Sequence, residues 1–137
     1  MQRSALVFVA GMAVGGLFGI PITASDRSTT TAASQTSVVQ LRLYTIDKGR
    51  LDDFAKAWHA GVYRLRTSQG YRIPFAAKIP STNQFVWVLA YDGPETWEAK
   101  EAAYYNSSAR KAMSPDPAQW IARPEQLLLT PVVGLTR

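Results

Sequence analysis

Apolar and polar positions alternate from Val38 onward. In Val39-Gln40-Leu41-Arg42-Leu43-Tyr44-Thr45, the residues Val39, Leu41 and Leu43 fall on one side and Gln40, Arg42 and Tyr44 on the other, the period of a β-strand. Asp47-Lys48-Gly49 predicts the turn that ends it. The period then lengthens from about Arg50 to Gln69. At about 100° per residue, Leu51, Phe54, Ala55, Trp58, Val62 and Leu65 fall within an arc of roughly 100°, with Asp52, Asp53, Lys56 and Arg64 opposite. That is an amphipathic helix, and Gly70 supplies its stop.

Tyr71 to Ile79 reads as a strand, but Pro74 has no N–H for a ladder, which predicts an edge or bulged strand. After the turn Pro80-Ser81-Thr82-Asn83 comes Gln84 to Tyr91, apolar on both faces: Phe85, Trp87, Leu89 and Tyr91 on one, Val86, Val88 and Ala90 on the other. A strand with two apolar faces belongs in the middle of a sheet, covered on both sides. Pro94 introduces a second helix from about Glu95 to Tyr105. Its buried side is ambiguous, because Ala99, Ala102 and Ala103 form a small-residue stripe while Trp97 and Tyr104 lie nearly opposite. Residues 106–124 read as irregular with a short helical turn near Arg110, and Gln126 to Pro131 as a last short strand.

The order is β-α-β-β-α-β, the split βαβ pattern of a ferredoxin-like α+β sandwich. Both helices then cover one face of the sheet and leave the other bare and apolar. A symmetric homodimer, sheet against sheet, is the simplest cover; the irregular C-terminal segment folding over the patch is the alternative.

The chain begins differently. A basic start at Arg3, an uncharged apolar run from Ala5 to Ile20, Pro21 and a small residue at Ala24 are the parts of a secretory signal. The 20 residues from Ala5 to Ala24 also match the roughly 20 that span a bilayer, and Gly11, Gly15 and Gly19 recur every four residues on one helical face, so an uncleaved anchor is the competing reading. The expected organisation is a signal peptide or anchor at 1–24, a Ser/Thr/Ala-rich linker at 25–36 that lacks apolar residues to bury, a folded domain at 37–132 and a tail at 133–137. Either fate of the leader exports the domain, to a periplasmic or extracellular location, and the membrane is a partner only if the leader stays.

The net charge of +5 is scattered, with no basic run of the kind that concentrates on a nucleic-acid-binding face, so no nucleic-acid partner is expected. The absence of Cys excludes disulfides, thiolate metal sites and a cysteine nucleophile, and leaves the redox compartment open.

Candidate chemistry is sparse. His59, the sole histidine, sits just outside the apolar arc of the first helix, where a pocket-edge base or a haem ligand competes with a plain flank position. One His without Cys argues against a metal site, and the expected cofactor is none, with haem the only group weighed. Arg42 and Gln40, alternating with apolar residues, are expected to point between two facing sheets, where Arg42 would bind an anion or brace the dimer. Tyr44, Trp87 and Tyr91 are expected to line the same space. The ligand-binding candidates are therefore Gln40, Arg42, Tyr44, Trp87 and Tyr91, and the catalytic candidates His59, Arg42 and Tyr44. Asp52 and Asp53 are adjacent and so point apart, which suits the positive end of a helix better than a paired-carboxylate mechanism. Asn106-Ser107-Ser108 matches a glycosylation sequon, a pattern common by chance.

The ordered series Val39 to Thr45, Lys48-Gly49-Arg50-Leu51-Asp52-Asp53-Phe54, Trp58, Gly70, Phe85 to Asp92 and Ala102-Ala103-Tyr104-Tyr105-Asn106-Ser107 resembles the NIPSNAP family over about residues 37–132. The resemblance implies a dimeric α/β barrel in which two ferredoxin-like sheets face each other. It implies little chemistry, since members are poorly defined biochemically, although wider relatives with this barrel include small monooxygenases and haem-degrading enzymes. Many members carry a His in the first helix near the place of Gly61, so a role attached to that His is not transferred to His59. The resulting expectation is an exported dimeric domain, more binding module than enzyme, that holds a small apolar or aromatic ligand between its sheets. The alternative is a cofactor-light monooxygenase- or isomerase-type enzyme using the same cavity, favoured if Arg42, Tyr44, His59 and Trp87 converge on it.

Overall fold

The computed structural model describes residues 37–134, so the expectations for 1–36 lie outside the described residues. Strand β1 (Val38–Ile46) leads through the Asp47–Gly49 turn, with Gly49 at a φ of +78°, into helix α1. Helix α1 is α-helical over Leu51–Ala57, π-helical over Trp58–Tyr63 and α-helical again over Arg64–Ser68. Gly70, at a φ of +87°, follows it, as its place in the sequence predicts. Then come β2 (Arg72–Ile79), a 3-10 turn at Pro80–Thr82, β3 (Gln84–Tyr91), α2 (Trp97–Asn106), the short α3 (Ser108–Lys111), a 3-10 turn at Pro117–Trp120 and β4 (Ile121–Leu129). The four strands form one antiparallel sheet in the order β2-β3-β1-β4, the ferredoxin-like arrangement.

Each strand sits where its residues allow. The doubly apolar β3 and the alternating β1 are central. Strand β2 lies at an edge, and its register with β3 shifts between Arg72 and Phe75, across Pro74; the missing N–H thus falls where no ladder bond is needed. Strand β4 forms the other edge. It starts at Ile121, earlier than expected, because a strand paired on one side only tolerates Pro124. Helix α2 begins at Trp97, later than Pro94 suggests, because the Thr96 hydroxyl accepts from the Ala99 N–H and caps it. Asp52 and Asp53 do stand in the first turn of α1, but they bind Lys78 and Arg50 at 2.7 and 2.9 Å and make no side-chain cap.

The register decides what each face carries. Arg42 lies opposite Trp87, Tyr44 opposite Phe85 and Gln40 opposite Leu89, so these six share one face. That face is the one the helices cover: Tyr44, Phe85, Trp87, Leu89 and Tyr91 pack with Phe54, Trp58, Val62 and Tyr104 into a single core. The expected placement of Gln40, Arg42, Tyr44, Trp87 and Tyr91 between two facing sheets is therefore corrected. The large rings of β3 fill the deep space beneath α1, and cross-strand pairing takes Arg42 with them. The opposite face carries Leu41, Leu43, Val86 and Val88, with Phe75 53% and Leu127 56% exposed. None of these six belongs to the core or packs against it. Among the described residues, no helix is long and apolar enough to cross a membrane.

Candidate functional site

Between the helix-covered face and α1 lies a half-open cavity of about 340 Å³. The strands contribute Arg42, Tyr44 and Trp87 to its wall, α1 contributes Phe54, Trp58, Val62 and Arg66, and α2 contributes Tyr104 and Tyr105. Arg110, Pro117, Ala118 and Ile121, together with Pro124 and Gln126 of β4, complete it. The rings pack edge to face: Trp58 and Trp87 have centroids 5.2 Å apart at 69°, and Tyr44 and Trp87 are 6.3 Å apart at 70°.

One end of this apolar wall is ionic. Arg42 and Arg66 are 2% and 1% exposed and share one carboxylate, Glu101. Arg42 donates from Nη2 to Glu101 Oε2 at 2.7 Å, from Nε to Gln40 Oε1 at 2.7 Å and from Nη1 to the Tyr105 hydroxyl at 3.2 Å. Arg66 donates from Nη1 to Glu101 Oε1, and the Tyr71 hydroxyl donates to the same oxygen at 2.9 Å. The Arg66 guanidinium lies over Tyr104, 3.6 Å from its ring centroid, and Arg42 lies over Trp87 at 5.1 Å.

This electrostatic arrangement sets the protonation states. Burial alone would raise the Glu101 carboxyl, but the Arg66 and Arg42 guanidiniums outweigh it and hold it below the ordinary value. Burial raises the Tyr44 phenol, with Arg42 opposing part of the rise, and burial likewise raises Tyr71 and Tyr104. Near neutral pH the wall therefore presents guanidinium and phenol donors, and Glu101, which stands behind the two arginines rather than in the lining, stays ionised and bound. Such a wall is built to hold acceptors and negative charge, and it has no group suited to general-base work at that pH.

The NIPSNAP family model matches residues 39–134. The chain belongs to the NIPSNAP family. Solved structures agree on the fold. An uncharacterized NIPSNAP domain protein from Burkholderia xenovorans is 23% identical and has a TM-score of 0.60, the match covering 69% of this chain and 93% of that one. A NIPSNAP family protein with unknown function from Agrobacterium tumefaciens is 14% identical at a TM-score of 0.63, over 74% and 96% of the two chains. A putative antibiotic biosynthesis monooxygenase from Nitrosomonas europaea is 13% identical at 0.54, over 70% and 90%. At these identities the likeness is one of fold alone. No curated protein matches the chain.

In this NIPSNAP domain, Arg42, Tyr44 and Trp87 meet in the cavity, and Gln40 supports Arg42 by accepting its Nε–H. Tyr91 is buried but stands apart from that cavity; its hydroxyl donates to Glu95 and its ring lies beneath the Lys100 ammonium at 4.8 Å. His59 is exposed, stacks on Tyr63 with centroids 5.1 Å apart, and does not join the cavity. Among the described residues, the lining holds no imidazole, thiol or thioether, so a haem with one of those axial ligands does not fit the residues present. Among the described residues, no group of three His, Cys, Asp or Glu is gathered to hold a metal. Gly61 has a packing reason to lack a side chain: a Cβ there would meet Met113 Sδ at 2.7 Å.

Sequence reasoning missed Arg66, Glu101, Tyr71, Tyr104 and Tyr105. Arg66 was hidden by the π segment. Each residue in the wider i→i+5 turn advances less around the axis, and over Trp58–Tyr63 the lag amounts to about one residue, which buries Arg66 fully while Leu65 keeps to the margin of the core. Glu101 was hidden by the ambiguity of α2. The Ala stripe faces solvent, while Trp97, Lys100, Glu101 and Tyr104 turn inward. The spacing of Glu101 from Trp97 by four and from Tyr104 by three was the available signal.

Proposed function

We propose that this NIPSNAP domain is an exported, homodimeric binding domain that holds a small apolar or aromatic molecule in the cavity between its sheet and its helices. The cavity carries the reading: ring-lined over most of its wall, cationic at one end, and at about 340 Å³ near the lower end of the roughly 300–1,000 Å³ of ligand pockets. Export is supported by the signal-like pattern at 1–24. Pairing is supported by the apolar face of Leu41, Leu43, Val86 and Val88; at ~25 cal/mol per Å², covering several hundred Å² of it offsets much of the cost of association.

Titration of the full-length chain with the neutral fluorescent probe N-phenyl-1-naphthylamine is expected to show one saturable site per chain. Val62→Trp, which fills the cavity from α1, should abolish that site while circular dichroism stays unchanged. Linear, non-saturating binding in the wild type would remove the reading. Light scattering tests the pairing: a mass of two chains is expected, and Val88→Arg on the bare face should give single chains. A wild-type mass of one chain would contradict it.

A second reading, a cofactor-light monooxygenase- or isomerase-type enzyme, is favoured by one observation. Tyr44, kept protonated by burial, stands beside Arg42 in the ring-lined cavity, a pair able to stabilise an enolate or phenolate. Oxygen uptake with an aromatic diol measures it. On this reading Tyr44→Phe lowers turnover and keeps probe binding; absence of uptake by the wild type removes the monooxygenase form, since an isomerase consumes no oxygen.

A further inference from the structure

We propose that the cavity's ligand is a small monoanion, a carboxylate on an apolar or aromatic body, whose charge completes the Arg42–Glu101–Arg66 cluster. This rests on the reading that the cavity holds a ligand, and it names the class.

The first observation is an imbalance of charge. Two buried guanidiniums share one carboxylate. The other charged groups near the wall cancel: Arg110 pairs with Asp116 at 2.8 Å, and Lys100, packed over Tyr91, pairs with Glu95 at 4.0 Å. The phenols of Tyr44, Tyr71 and Tyr104, all raised by burial, supply no negative charge at neutral pH. Among the described residues, one positive charge is left over beside the cavity. A cation out of water without a counter-ion is costly, and here both cations are among the most buried residues of the domain.

The second observation is a surplus of donors. Among the described residues, five buried side-chain polar atoms have no hydrogen-bond partner, and four of them belong to residues that line the cavity: Trp58 Nε1, Trp87 Nε1, Arg66 Nε and the Tyr104 hydroxyl. Buried polar groups in native proteins nearly always find partners, so four orphans around one cavity call for an explanation. Three of the four are N–H groups that can only donate. An acceptor is what they lack.

Charge and donors ask for the same thing, a negatively charged acceptor. The excess is one unit, which fits a carboxylate better than a phosphate dianion. Phe54, Val62, Pro117 and Ile121 elsewhere on the wall suit an apolar body.

The test is calorimetric titration of the full-length chain with three bicyclic compounds of like shape: 2-naphthoate, 2-naphthamide and 2-naphthylmethylammonium. Each is run alone and in competition with N-phenyl-1-naphthylamine. The naphthoate should bind at least about tenfold tighter than the amide, because a charge-assisted bond replaces a neutral one. The ammonium compound should bind most weakly, and Arg42→Met should erase the preference for the anion while the amide still binds. The wild-type comparison stands even if that variant fails to fold. Equal binding of naphthoate and amide, or preference for the ammonium compound, would overturn the anion assignment and leave the cavity reading intact. Binding of none of the three, with the probe still bound and undisplaced, would overturn the anion assignment alone; non-saturating binding of the probe as well would overturn both.

Discussion

Glu101→Ala is expected to be among the most damaging substitutions in the domain, costing about 3–5 kcal/mol of stability, because it strands buried cations. Arg42 and Arg66 are buried, and among the described residues Glu101 is the only carboxylate that either of them binds. Its removal also frees the Tyr71 hydroxyl. For a domain of this size, the loss should appear as a fall in Tm of more than about 10 °C in calorimetry. Glu101→Gln, which keeps the shape and part of the hydrogen bonding, should fall between. The sign of the pH dependence follows from the lowered carboxyl. The folded value lies below the ordinary 4.5, so the carboxylate contributes fully above that pH, and its contribution fades as pH falls from there through the folded value. Glu101→Gln should therefore flatten the acid limb of the stability profile. A Glu101→Ala protein within about 1 kcal/mol of wild type would mean that the two arginines find their counter-charge elsewhere.

Trp87→Ala should cost a similar amount, about 3–5 kcal/mol, through a different cause. Trp87 is 1% exposed at the centre of β3, in edge-to-face contact with Trp58 and Tyr44 and beneath the Arg42 guanidinium. Truncation there joins a new void to the existing cavity, and the central sheet cannot collapse to close it. The denaturant midpoint should drop at nearly constant m, whereas Trp87→Phe should retain most of the stability. A small loss for the alanine variant would show that the wall is loosely packed.

How far the sequence carried this picture depended on which physical rule governed each element. Alternation in Val39–Thr45 and the doubly apolar β3 were enough for element order and for the central strands, and Pro74 marked an edge. Sidedness was not legible. Alternation says that Arg42 and Leu41 point apart; it does not say which face the helices cover, and the large rings of β3 settled that by filling the deeper side. Arg42, Tyr44 and Trp87 were found as a group because cross-strand register unites them. Arg66 and Glu101 were not, one because a π segment breaks the 3.6-residue period, the other because a charged residue on the inward side of a helix looks like surface until its two arginines are in place. His59 stood out only by being unique, and uniqueness carries no geometry.

On the proposed reading, the ligand space lies within one chain, between β1, β3 and α1. A crystal structure of the full-length chain grown with N-phenyl-1-naphthylamine tests it most directly. The expected result is probe density in every copy, packed against Trp58 and Trp87 beside Arg42. Density confined to the space between the bare sheet faces of two copies, with the cavity under α1 empty, would contradict it.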